Sequence, residues 1–107
     1  MAGESWTITI VPGAAHASFV PDVYTPPGTT PAINLQAQVG DLVSWNNQTA
    51  QEHEIWQTGG GQLTKQIDAG GSSTPGYIVA LTGTAKTGTI DYYCSIHETE
   101  KGAIDVV

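Results

Sequence analysis

Apolar and polar residues alternate along this chain in short runs with a period of two. "SWTITIV" (5–11) is the first, "INLQAQV" (33–39) the second, and "LVSWN" (42–46) follows across a Gly40–Asp41 turn. "EIWQT" (54–58), "GYIVALT" (76–82), "TGTIDYYC" (87–94) and "GAIDVV" (102–107) complete the series. Successive side chains of a strand point to opposite faces, so this alternation sets one face of each run in a core and the other against water. The runs are rich in Ile, Val, Thr, Tyr and Trp, which suit a pleated, half-buried surface. Turn-forming stretches, "TGGGQ", "DAGGSS" and "TGTAKTG", separate several of them. No segment combines the 3.6-residue period of a helix with start and stop signals. About seven or eight short strands at this spacing predict an all-β fold, a Greek-key β-sandwich.

One segment departs from the pattern. Residues 13–32, "GAAHASFVPDVYTPPGTTPA", carry four of the six prolines. Proline lacks the N–H that a strand ladder uses, and a connection this long commonly covers or serves a site. It is expected to be irregular, with one short strand near Phe19–Val20. The chain has 107 residues, which suits a single domain over 1–107.

Charge narrows the classes of partner. Three lysines and no arginine stand against ten Asp and Glu, a net charge of −7. That excludes a nucleic-acid partner, whose backbone needs a positive surface, and docking on an anionic membrane. It leaves room for a basic protein partner steered by charge. No apolar run is long enough to be a transmembrane segment. "MAGES" has neither the charged nor the apolar region of a signal peptide, so an exported chain would have had its signal removed. The single cysteine, Cys94, cannot form an internal disulfide and is free for other chemistry.

Cys94 and His97 lie three residues apart where the strand 87–94 runs into a loop, and His53 stands at the head of the run 54–58. A soft sulfur with two imidazoles is a donor set that selects copper. A loop carrying two donors and a third fixed on a neighbouring strand would make a preformed site. Glu100, three residues beyond His97, is the next candidate donor at that spacing. Glu52, Glu54, Glu98 and Glu100 crowd these residues; they favour a cation and repel an anion such as nitrite. His16, in the proline-rich segment, is either a loop residue, a cap over an open site or a ligand to a second metal. Trp45, Trp56, Tyr92 and Tyr93 read as core or rim, with a role in electron transfer as the alternative. Asn46 or Asn47 could hydrogen-bond near Cys94 and tune its sulfur.

Two stretches carry a resemblance. "VGDLVSWNNQTAQEHEI" and "DAGGSSTPGYIVALTGTAKTGTIDYYCSIHETEKGAIDVV" resemble the matching stretches of the cupredoxins, small blue-copper β-sandwich proteins, over about 33–107. The resemblance implies one copper per chain, cycling between Cu(I) and Cu(II) and held by His53, Cys94 and His97. Close relatives end Cys-x-x-His-x-x-Met-x-Gly, with Met as a weak axial ligand. This chain keeps the spacing but has Glu100 in that place and Gly102 after it. Red and purple cupredoxins of ammonia oxidisers also lack the Met, but this chain keeps both histidines. Relatives usually carry Asn or Ser after the first histidine, where this chain has Glu54.

Three roles for Glu100 are open: a hard axial ligand that lowers the reduction potential, a side chain swung into water that leaves an open copper position, or a bystander on an exposed loop. The polar run "HETEKG" favours exposure. The resemblance implies one-electron transfer to a redox partner protein, with the His97 edge as the port. The alternatives are an open-site copper oxidoreductase acting on a small-molecule ligand, such as nitric oxide oxidised to nitrite, and a copper storage or delivery module. It also implies an exported location, periplasmic or on the extracellular side of the cell surface.

Overall fold

The computed structural model describes residues 3–13, 17–21, 34–73, 76–81, 83–85, 87–97 and 99–107. Eight strands are present among them: β1 (Ser5–Val11), β2 (Ser18–Pro21), β3 (Leu35–Ala37), β4 (Leu42–Asn47), β5 (Ile55–Gln57), β6 (Tyr77–Ile78), β7 (Gly88–Cys94) and β8 (Lys101–Val106). They form two four-stranded sheets, ordered β2-β1-β4-β6 and β3-β8-β7-β5. The all-β class expected from the alternation holds, and so does the short strand at Phe19–Val20. His16, Glu98 and most of the segment 13–32 lie outside the described residues.

The period-two pattern is realised side chain by side chain. Ile8 and Ile10 of β1, Val43 and Trp45 of β4, Leu35 and Ala37 of β3, Ile90 and Tyr92 of β7, and Ile104 and Val106 of β8 all turn inward and are buried. Tyr92 meets Trp45 and Phe19 edge-on, with ring centroids 5.3 and 5.0 Å away. Gly102 lies opposite Tyr92 in the β7–β8 ladder, and a Cβ there would run into the tyrosine ring and hydroxyl.

One local expectation is corrected. The turn before Asp41 does not join paired strands. β3 pairs in parallel with β8, while β4 pairs in parallel with β1, so the chain crosses between sheets there. Gly40 has φ of 95°, open to glycine at no steric cost. Asp41 fixes the crossing: its carboxylate accepts hydrogen bonds from Gln38 N–H (2.9 Å), the Trp6 indole N–H (2.9 Å) and Glu4 N–H (3.0 Å). Burial alone would raise its pKa, but these donors outweigh burial and hold it below the ordinary value. The run 76–82 also shortens to a two-residue strand, β6.

Candidate metal centre

The site forms where β5 begins, β7 ends and the β7–β8 connection turns over. β5 and β7 are antiparallel with Ile55 opposite Cys94, which brings His53 beside the sulfur. Its backbone is fixed by two hydrogen bonds exchanged with Ile67. The connection after Cys94 is built of consecutive three-residue turns. His97 N–H donates to the Cys94 carbonyl, Glu100 N–H donates to the His97 carbonyl, and Cys94 N–H donates back to the Glu100 carbonyl. A step of three residues per turn returns the side chains of Cys94, His97 and Glu100 to one side. The spacing in the sequence is therefore the spacing of the turns.

The four donors make a closed ring. Cys94 Sγ lies 3.5 Å from His53 Nδ1 and 3.6 Å from His97 Nδ1. Glu100 Oε1 lies 3.0 Å from His53 Nδ1 and 3.5 Å from His97 Nδ1. All four donor atoms fall within 4.8 Å of one another. His53 and Cys94 are fully buried, Glu100 is 2% exposed, and the His97 side chain keeps 28% of its surface.

This geometry overturns two of the roles left open for Glu100. The side chain neither swings into water nor sits on an exposed loop. Its Oε2 accepts a hydrogen bond from the buried Ala17 N–H at 2.8 Å, and its Oε1 points at the ring. The polarity of "HETEKG" misleads because Thr99 and Lys101 meet solvent while the turn folds Glu100 inward. Oε1 is buried and accepts no hydrogen bond from the described residues. It faces a sulfur and two imidazole nitrogens, and a cation held among them would satisfy all four.

The orientation of His53 is fixed from behind by a residue the sequence did not single out. Thr49 Oγ1 is 2.9 Å from His53 Nε2, 2.7 Å from Asn47 Oδ1 and 3.2 Å from Gln51 N. Asn47 Oδ1 and the Gln51 carbonyl, 3.0 Å away, can only accept, so the Thr49 hydroxyl donates to this pair. Its lone pairs then take the Gln51 N–H and the His53 Nε2–H. His53 Nδ1 then faces the ring, 3.0 Å from Glu100 Oε1. Burial lowers the His53 pKa, and the nearby His97 lowers it further; Glu100 acts the other way without reversing the shift.

Asn47 is thus a positioning residue but does not reach the sulfur. Its amide N–H groups donate to the carbonyls of Gln51 (2.7 Å) and Asp68 (3.0 Å), and Asn46 is bonded to Ser72. Glu54 ties the His53 segment to the turn after Cys94. Its Oε1 accepts from Ser95 Oγ (2.9 Å) and the Trp56 indole (2.6 Å), while Ser95 N–H donates to its carbonyl (2.9 Å). Trp45 and Tyr92 are core; Tyr93 and Trp56 are half-buried.

No protein-family model matches the chain, and no curated protein sequence matches it. Solved structures do. A reduced Cu(I) form, at pH 4, of a proline-to-glycine variant of amicyanin aligns with 100% of this chain and 86% of its own, at TM-score 0.59 and 21% identity. The oxidized state of a proline-to-alanine variant of amicyanin aligns with 69% of each chain, at TM-score 0.51 and 26% identity. Amicyanin is a cupredoxin, and this chain has the cupredoxin fold.

Proposed function

We propose that the chain is a mononuclear copper electron carrier, a single domain over residues 1–107 whose metal is held by His53, Cys94, His97 and Glu100, one ion per chain. The observation that carries this is the ring of four donor atoms, three of them on buried residues, with Glu100 Oε1 turned into it. The donor chemistry fits copper: a sulfur and two imidazoles suit both of its oxidation states. Copper bound there would supply a one-electron couple, Cu(I)/Cu(II).

The chain's own residues do the rest. His53 is locked by Thr49, Glu100 by Ala17, and the 95–100 turns by Glu54, so the donors move little whichever charge they face. Glu100 adds a hard anionic donor, which favours the divalent state and lowers the potential. With Oε1 already in the ring, little room is left for an added ligand, which supports the carrier over an oxidase of nitric oxide.

His97 is the donor with an edge toward solvent. It borders an open depression lined by Ala50, Gln51, Glu52, Asp68, Ala69 and Ile96, with Ile96 48% exposed. An apolar spot with Glu52 and Asp68 on its rim suits a redox partner with a basic surface. None of the described elements is a helix long and apolar enough to cross a membrane. We place the chain on the exported side, periplasmic or extracellular; amicyanin-like cupredoxins are periplasmic.

Loading with one equivalent of Cu(II) tests this. The expected result is an intense sulfur-to-copper absorption and a reversible one-electron wave, both lost in Cys94→Ala. Colour persisting in Cys94→Ala would overturn the site.

A further inference from the structure

We infer that Ala17 is a positioning residue for Glu100: its backbone N–H holds Oε2 away from the ring, leaves Oε1 as the single donor atom, and keeps the reduction potential above the value an untethered carboxylate would set. The inference rests on the copper site proposed above and adds to it a group from the opposite sheet.

Placement is the first ground. Glu100 stands in the turns between β7 and β8, whereas Ala17 leads into β2, the edge strand of the other sheet. Their buried hydrogen bond, 2.8 Å long, joins residues 83 positions apart and ties one sheet to the other. Two contacts fix where that N–H stands. Ser18 pairs with Val11, so Ala17 takes its position from the β1–β2 ladder. Phe19 meets Tyr92 edge-on at 5.0 Å, which seats β2 against β7 near Cys94. The donor is a backbone group, so any residue except proline can supply it.

Donor chemistry is the second ground. A carboxylate can offer a cation one oxygen or both. Here Oε1 lies 3.0 and 3.5 Å from the two imidazole nitrogens, while Oε2 is engaged by Ala17. A hydrogen bond to a carboxylate is charge-assisted and stronger than one between neutral groups. It draws off part of the negative charge, so Oε1 is a weaker donor than a free carboxylate oxygen. Hard anionic donors favour Cu(II), and a single weakened oxygen favours it less. The same bond offsets part of the cost of burying Glu100 when the ion beside it carries one positive charge and not two.

The test is electrochemistry on the copper-loaded Ala17→Pro variant, which lacks the N–H, beside Ala17→Gly, which keeps it. Ala17→Pro should shift the balance toward Cu(II) by about tenfold, a potential lower by about 59 mV, and Ala17→Gly should match the parent chain. Hydrogen exchange followed by NMR reads the bond itself on the metal-free chain. The Ala17 amide should exchange slowly, and about tenfold or more faster in Glu100→Ala. That measurement decides should Ala17→Pro fail to fold by circular dichroism. An unchanged potential in folded Ala17→Pro, or Ala17 exchange unaltered in Glu100→Ala, would overturn the inference while a sulfur-to-copper band leaves the copper reading standing. Absence of that band in the parent chain would remove both.

Discussion

Glu100 is the residue on which the chemistry of the site turns. In the proposed site, replacing its buried carboxylate by Met exchanges a hard anionic donor for a soft neutral one. Glu100→Met should therefore raise the reduction potential and move the visible spectrum toward blue, as electrochemistry and absorption on the copper-loaded variant would show. If neither changes, Glu100 does not touch the metal. Thr49 acts one step further out. Thr49→Val keeps the shape and removes the hydroxyl that takes the His53 Nε2–H. Copper affinity should fall by about 10–100-fold, with loss of the slowly exchanging His53 ring N–H signal in NMR, and Thr49→Ser should recover both. An unaltered ring signal in Thr49→Val would remove Thr49 from this role. Cys94, His97 and Glu100 were legible as a group because their three-residue spacing follows the turns that carry them, and His53 because it heads the run that pairs with 87–94. Thr49 was not, since its part depends on where a loop places one hydroxyl. Nor was the burial of Glu100, which neighbouring polarity disguised.

At the scale of elements, the site is a junction of two strand ends held by side-chain ties. Glu54 links the His53 segment to the turn at Ser95 through one carboxylate oxygen and its own carbonyl. Glu54→Ala should cost about 1–2 kcal/mol in chemical denaturation, and Ser95→Ala in the same background should add little, because the bond from Ser95 Oγ is already lost with the Glu54 carboxylate. Additive losses would show that the two residues act separately. Gly102 gives the close approach of β8 to the Tyr92 ring, so Gly102→Ala should destabilise by about 1–3 kcal/mol through overpacking. Strand positions followed from the alternation, β1 to the residue, because alternation is a direct record of which side chains face the core. Pairing was less accessible. The Gly40–Asp41 turn looks like a hairpin in sequence, yet it carries the chain from one sheet to the other, and only the parallel partners of β3 and β4 reveal that.

For the whole molecule, acid should act in two stages on the metal-free chain. His53 has a lowered pKa, so the unfolded chain takes up this proton first; stability is full above about pH 6.5 and falls as the pH drops below it. Asp41 also has a lowered pKa, so its contribution is full above about pH 4 and is lost as the pH falls further. Denaturation followed against pH should show both, with the lower stage missing in Asp41→Asn. A net charge of −7 should make electron exchange with a basic partner slow as ionic strength rises. The sharpest measurement is the visible spectrum of the Cu(II)-loaded chain before and after adding azide. A closed ring of two histidines, Cys94 and Glu100 predicts a strong sulfur-to-copper band that azide leaves in place. Absence of that band, or a band that azide shifts, would contradict it: the first removes copper from the site, and the second opens a position that Glu100 should fill.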